Sequence, residues 1–349
     1  MTSEPTDQHA TKKRRRGRGF LITVASLVGV ALVVGIVASV TPWPSAMLIR
    51  AVFERGGAAT VAEMTPYVPD AGLHIERGIT YDSTAGDSTL DIFTPAADGE
   101  TLPAVVWIHG GAWISGSSAD VDPYLQILAA EGYTTIGLNY GLGPESTYPT
   151  AVVQLNDALA YINANADELR VDPSRIVLAG DSAGGQLASQ MATLTTNDDY
   201  AELMDITPAL AASQLSGVIL NCGVYDLRSM AELEGLFAWG LKVSLWAYTG
   251  HKDWSQRSSG AMMSTIEFVN EDFPATYISG GNGDPLTWLQ SIPMAQRLDE
   301  LGVDVTDVFW PAPHEPQLPH EYQFHLDLPE AREALAKTIA WLEATVPAD

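Results

Sequence analysis

The sequence predicts an α/β fold, with helices flanking a mostly parallel sheet of eight strands. Three observations carry that expectation. Short apolar runs such as AVVWI (104–108) and RIVLA (175–179) recur along the chain. Runs this brief and this continuous suit strands covered on both faces. Helical patterns alternate with them. Finally, the turn GDSAGGQ (180–186) follows one run directly and sets Ser182 between glycines on either side, the form of a tight strand-to-helix turn.

In chain order, residues 1–19 are polar, and six of the 18 Lys and Arg lie between Lys12 and Arg18. They read as a basic cytoplasmic tail. FLITVASLVGVALVVGIVASV, Phe20 to Val40, carries no charge, and as a helix it reaches about 31 Å, one hydrocarbon core. Trp43 suits the far interface, and the basic cluster suits the cytoplasmic side. A cleaved signal peptide has a shorter apolar region, ~7–15 residues, and twin arginines also permit an export signal. The length favours an uncleaved, single-pass transmembrane anchor over 20–40, with the body outside the cytoplasm. Residues 41–69 contain WPSAMLIRAVFERGGAATVAEM, where Met47, Leu48, Ala51 and Val52 form one apolar helical face. That segment reads either as a juxtamembrane helix or as a lid. Pro66, Pro69 and Gly72 mark a boundary, so the globular domain is expected over 70–349.

Within that domain, strands are expected at Leu73–Tyr81, Thr89–Phe93, Pro103–Ile108, Thr134–Asn139, Arg175–Ala179, Leu215–Asn221, Ala275–Ser279 and Val303–Phe309. Helical patterns fall at Tyr124–Glu131, Ala151–Ala166, Gly185–Thr193, Trp288–Leu301 and Glu330–Ala344. Residues 227–273 break the rhythm. They are rich in tryptophan (Trp239, Trp246, Trp254) and read as a helical, cap-like insertion above the sheet.

Charge narrows the partners. The chain carries −25 formally, and beyond residue 40 there are 12 basic against 41 acidic residues. Such a body repels nucleic acid and anionic lipid, so neither is expected against it. Cys222 is the sole cysteine, which excludes an intrachain disulfide and a cysteine-rich metal site. Its setting, GVILNCG, is that of a buried core thiol.

The chemistry collects at predicted strand ends. G-x-S-x-G between strand and helix holds its serine on a strained turn, with glycines relieving the crowding. The following helix N-terminus favours negative charge near Ser182. HGGAW (109–113) follows the strand Pro103–Ile108, where small residues expose backbone amides. The oxyanion-binding amides are therefore assigned to Gly111, Ala112 and Ala183, with Gly110 and His109 as structural members of the loop. Two acids follow later strands, Asp284 in SGGNGDPL and Asp226 in GVYDL. The glycine-rich approach and Pro285 favour Asp284, and Asp226 reads as a turn cap. The last loop, PAPHEPQLPHEYQFHLDLP, holds His314, His320 and His325. A zinc helix of the H-E-x-x-H type is excluded, since the residues four beyond its two His-Glu pairs are Leu318 and Phe324, and three prolines forbid the helix.

GDSAGG, HGGAW, LNYGLGPESTYPTAVVQLNDALAYI, GGNGDPL and LPHEYQF together resemble the hormone-sensitive-lipase and feruloyl-esterase-like branches of the α/β-hydrolase superfamily, over about residues 73–344. The resemblance implies the α/β-hydrolase fold and a triad of Ser182, Asp284 and His320, the last from its H-x-F-like context. One departure is Ala112, where many relatives carry a third glycine. The implied function is a membrane-anchored serine carboxylesterase or lipase acting on a small-molecule ester, without metal or organic cofactor. An aryl-amide or formamide hydrolase or a peptidase of the same fold is the alternative, because HGGAW also resembles the formamidase relatives. A non-catalytic binding module has no reason to keep serine, amide loop, acid and base in this order.

Overall fold

The computed structural model describes residues 32–82 and 86–348, together with Thr23, Ser26, Leu27 and Gly29. In chain order the principal elements are α1 (Trp43–Met64), β1 (His74–Thr80), β2 (Thr89–Thr94), β3 (Leu102–Ile108), α2 (Asp122–Ala130) and β4 (Thr134–Leu138). Then come α3 (Thr150–Ala164), β5 (Val171–Asp181), α4 (Ala183–Thr196), α5 (Asp198–Met204) and β6 (Leu215–Asn221). The insertion before β7 (Ala275–Gly280) holds α6 (Leu227–Glu232), α7 (Gly235–Thr249) and α8 (Ser258–Met262). α9 (Ile292–Glu300), β8 (Val305–Phe309) and α10 (Pro329–Thr345) complete the chain.

The strands form one eight-stranded sheet in the order β1-β2-β4-β3-β5-β6-β7-β8. Only β1–β2 and β2–β4 are antiparallel; every pair from β4–β3 to β7–β8 is parallel. Alternate residues of the central strands feed two cores. Val106, Ile108, Leu178, Val218 and Ile278 join α3, α4 and α9 on one face. Val105, Trp107, Val177, Ile219 and Tyr277 join α2 and α10 on the other. Every residue of β3 is buried, which is why its sequence reads as one apolar run rather than an alternation. Parallel pairing brings the C-terminal ends of β3, β5, β6, β7 and β8 to one edge, where loops can converge.

Differences from the sequence reading have local causes. β5 begins at Val171 rather than near Arg175, because Leu102 of β3 pairs with Val171 across a register shift. α5 was not expected; seven residues are too few for a periodic signal, but the Asn197 side chain accepts from Tyr200 N at 3.0 Å and Asp198 and Asp199 occupy its first turn. The helix expected from Trp288 starts as a π-helical turn, Thr287–Ser291. Pro293 follows and has no N–H to offer the regular ladder.

α1 turns only part of its apolar surface inward. Ala46, Ile49 and Met64 are its buried residues, whereas Leu48 and Val52 are 63% and 60% exposed. Its small residues are the ones that admit close packing, against Ala112, Ile114, Val243 and Ala247. Among the described residues no single helix is long and apolar enough to cross a membrane. The expected span 20–40 lies largely outside those residues. The part that is described, Leu32–Val40, is helical and meets α1 at a 90° bend.

The turn after β5 depends on one close approach. A Cβ at Gly184 would stand 1.9 Å from the carbonyl oxygen of Ile108 and 2.6 Å from that of His109. Both obstacles are backbone, so no side chain can yield. Gly184→Ala is expected to lower unfolding free energy by about 1–3 kcal/mol or more, read as a reduced urea midpoint; a native midpoint would contradict this packing.

Candidate active site

Ser182 occupies the corner between β5 and α4 with φ +51° and ψ −118°, a backbone state that residues bearing a Cβ avoid. Its amide is held by the carbonyl of Asn221 at the end of β6, at 2.8 Å. The flanking glycines serve close approach rather than positive φ. A Cβ at Gly180 would lie 2.3 Å from the Gly184 carbonyl, closing the turn on itself. Ala183 opens α4, so its amide has no partner within the helix.

His320 and Asp284 reach this serine from two other loops. His320 Nε2 lies 2.9 Å from Ser182 Oγ, and His320 Nδ1 lies 2.6 Å from Asp284 Oδ2. Asp284 is 1% exposed, and its Oδ1 accepts from the amide of Leu286 at 2.9 Å. The two loops are stitched together by backbone. Gly283 N–H donates to the Leu318 carbonyl at 2.9 Å, and a Cβ at Gly281 would lie 2.4 Å from that same oxygen. Asn282 completes the seam: its Oδ1 accepts from Leu318 N at 2.9 Å and its Nδ2 donates to the His314 carbonyl at 2.8 Å. Leu318 and Tyr322, both fully buried, anchor the histidine loop on either side of His320.

The 109–113 loop supplies amides. Gly111, Ala112 and Trp113 take φ values of +103°, +53° and +60° in succession. The Gly111 carbonyl accepts from both Ile114 and Ser115 amides, at 3.1 and 3.0 Å. A trans peptide is planar, so the N–H of Ala112 points the opposite way. The Gly110 carbonyl meets His109 Nδ1 at 2.8 Å, which turns the Gly111 N–H away in the same manner. No hydrogen bond among the described residues uses the amides of Gly111, Ala112 or Ala183. Gly110 differs, because its amide donates to Asp181 Oδ2 at 2.9 Å. Ala112 bears a left-handed conformation that costs a non-glycine residue roughly 1–2 kcal/mol, and its buried methyl packs under α1 against Ala46 and Ile49.

Two histidines are driven in opposite directions. His109 is fully enclosed, stacked on Tyr140 at 4.5 Å, and burial lowers it to about 4. It is neutral at physiological pH and holds its loop. For His320, burial also opposes charge, but the Cys222 sulfur and the Asp284 carboxylate raise it well above the ordinary 6.5. Burial lifts the Cys222 thiol above its own ordinary range, so near neutrality that thiol is uncharged and the carboxylate supplies the attraction.

The remaining candidates stand elsewhere. The Asp226 side chain accepts from Arg228 N at 2.9 Å and caps α6. His314 Nε2 meets Glu330 Oε1 at 2.9 Å against the Trp310 ring, and His325 Nδ1 meets Glu63 Oε2 at 2.7 Å. Cys222, Asp284 and His320 present possible metal-ligand atoms within 4.8 Å of one another. Both ring nitrogens of His320 are already engaged by Asp284 and Ser182, which leaves a cation no imidazole lone pair.

Sequence reasoning missed several contributors. Asn282 and Asp181 lie inside quoted motifs, but their partners are distant in sequence. Arg50 of α1 is another: its guanidinium donates to Glu145 at 2.8 and 2.6 Å, to the Gly143 carbonyl at 2.7 Å, and to the Ile114 carbonyl beside the amide loop. With the Glu63–His325 pair, α1 is fastened to two of the loops that form the site.

Residues 90–298 match the family model BD-FAE. The chain belongs to the BD-FAE family. Over 282 residues it is 28% identical to carboxylesterase NlhH of Mycobacterium tuberculosis, covering 78% of this chain and 83% of that protein. Esterase B of Lactobacillus rhamnosis superposes with a TM-score of 0.72 at 24% identity, over 86% of this chain and 94% of that one. An esterase of Pyrobaculum calidifontis gives 0.68 at 24%, over 86% and 92%. The sheet order and these superpositions establish the α/β-hydrolase fold for this BD-FAE member.

The two histidines give a test that needs no substrate. In an NMR titration the His320 ring is expected to titrate above 6.5, since its imidazolium is stabilised, and His109 near 4. Asp284→Asn should move His320 downward. A native His320 midpoint at or below 6.5 would contradict the electrostatic reading.

Proposed function

We propose that this BD-FAE protein is a membrane-tethered serine carboxylesterase in which Ser182, His320 and Asp284 act as nucleophile, base and orienting acid. The observation that carries the reading is the unbroken hydrogen-bonded chain Ser182–His320–Asp284, at 2.9 and 2.6 Å, beside three amides with no partner among the described residues. The relatives named as carboxylesterase and esterase support carboxylic esters as the substrate class.

The steps follow from the atoms in place. His320 Nε2 removes the proton from Ser182 Oγ as the oxygen bonds to the ester carbonyl carbon. Asp284 accepts from Nδ1–H, which fixes the tautomer and stabilises the imidazolium, and it remains ionised. Charge developing on the carbonyl oxygen is met by the amides of Gly111, Ala112 and Ala183, with the N-terminal end of α4 behind the last of them. The imidazolium then protonates the departing alkoxide, and the alcohol leaves. Water enters, gives a proton to Nε2 and attacks the acyl carbon; the imidazolium returns that proton to Ser182 Oγ as the acyl–oxygen bond breaks, and the acid leaves.

The tether is supported by the basic cluster Lys12–Arg18 and the uncharged run Phe20–Val40. Leu48, Val52 and Phe53 of α1, exposed just beyond that run, suit a membrane-proximal position. On this reading the catalytic body lies outside the cytoplasm.

One comparison tests activity and placement together. Full-length native protein and Ser182→Ala are expressed and fractionated, and membranes are assayed with chromogenic esters of graded acyl length and matching anilides. Both forms are expected in the membrane fraction after alkaline washing, with Ser182→Ala lower in esterase rate by about 10⁴–10⁶. Comparable hydrolysis by Ser182→Ala would refute the nucleophile; native chain in the wash would refute the tether.

A further inference from the structure

The residue before the serine and the residue after the histidine are both acids, and they meet. Asp181 is 3% exposed. Its Oδ1 accepts from the indole N–H of Trp107 at 2.7 Å, and its Oδ2 accepts from the Gly110 amide at 2.9 Å. Glu321 closes the remaining side, its carboxyl set against that of Asp181 beside Gly110. The crowding is visible at Gly110, where a Cβ would stand 2.3 Å from Asp181 Oδ2 and 2.9 Å from Glu321 Oε1. Glu321 also reaches within 3.7 Å of His320 Nε2. It does so from a left-handed backbone, φ +58°, a strained state that is held only where surrounding contacts impose it.

Ionised carboxylates only accept hydrogen bonds, so two carboxyl groups can bond to each other only when one carries a proton. We propose that Asp181 and Glu321 share one proton, and that Glu321 is a positioning residue fastening the histidine loop to the serine turn and, through Gly110, to the amide loop. The proposal rests on the function assigned above and names a device within the same site.

The surroundings favour the shared proton. The titratable groups facing the pair are His320 on its own loop, Asp120 of the short turn Ser118–Asp120, the Cys222 thiol near Glu321 and the Tyr140 hydroxyl near Asp181, the last two held uncharged by burial. Glu54 of α1 stands beyond Asp120. Only His320 among these can be cationic. Burial, then the charge of Glu321, hold the Asp181 carboxyl well above the ordinary carboxylate range. That direction favours a proton held between the two carboxyls. As pH rises the proton passes to bulk water, two carboxylates are left in contact, and their repulsion separates the histidine loop from the serine turn. Activity should thus decline on the alkaline side with the pair's own midpoint.

The test uses the full-length protein, native and as Glu321→Gln, Glu321→Ala and Ser182→Ala. Glu321→Ala is expected to lower kcat by about 10- to 100-fold, with KM much less affected, because the imidazole is no longer held at its reacting distance. Glu321→Gln should recover most of that loss, since its amide donates to the Asp181 carboxylate. It should also move the alkaline limb of kcat upward by at least about one pH unit, because its proton does not titrate. Infrared spectroscopy gives a readout free of turnover: a protonated-carboxyl band that disappears at the alkaline midpoint in native and Ser182→Ala protein and is missing from Glu321→Gln at neutral pH. The proposal is overturned if that band persists in Glu321→Gln, if Glu321→Gln keeps the native alkaline limb, or if Glu321→Ala turns over as fast as native. Should Ser182→Ala remain active, the proposed function fails, and the infrared comparison on that variant still decides the shared proton.

Discussion

At the C-terminal edge of the sheet, backbone passes backbone at distances that no side chain permits. The Cα of Gly184 leaves no room for a methyl beneath the Ile108 carbonyl, that of Gly180 none against the Gly184 carbonyl, and that of Gly281 none over the Leu318 carbonyl. These approaches bring the serine turn, the amide loop, the acid loop and the histidine loop to one place. Hydrogen bonds then fix what the glycines admit: Ser182 N to Asn221, Gly110 N to Asp181, and Gly283 N to Leu318. The 2.6 and 2.9 Å contacts of His320 are consequences of that backbone assembly.

Strain gathers at the same edge. Of the seven described non-glycine residues with positive φ, five stand in or beside the site: Ala112, Trp113, Ser182, Cys222 and Glu321. Each is held by something larger than itself. Ala112 is packed under α1 and Ser182 is tied to β6, while Glu321 is buttressed by Asp181. The cores on both faces of the sheet supply the stability that lets these conformations persist. α1 links the chain's apolar N-terminal portion to the site, since Arg50 grips the amide-loop side and Glu63 the histidine loop.

Much of this was legible in the sequence, for a physical reason. Strand segments buried on both faces must be apolar, so β3, β6 and the part of β5 from Ile176 to Ala179 are visible without periodicity. The serine turn and the amide loop were legible because close approach forces glycine, and glycine is conspicuous. What depended on distant partners was not. Asn282 reads as one polar residue among glycines until Leu318 and His314 are brought beside it. Glu321 reads as a surface acid until the fold sets it against Asp181. The packed face of α1 is likewise set by a distant partner, since close packing on Ala112 calls for Ala46 and Ile49.

The central claim is that the four loops make one activated serine out of Ser182. Labelling with a fluorophosphonate, which captures an oxygen nucleophile only where a base and oxyanion donors surround it, tests that claim most directly. The account predicts one adduct per chain, located on Ser182 by peptide mass spectrometry and lost in His320→Ala. An unmodified chain, or an adduct carried by any other residue, would contradict it.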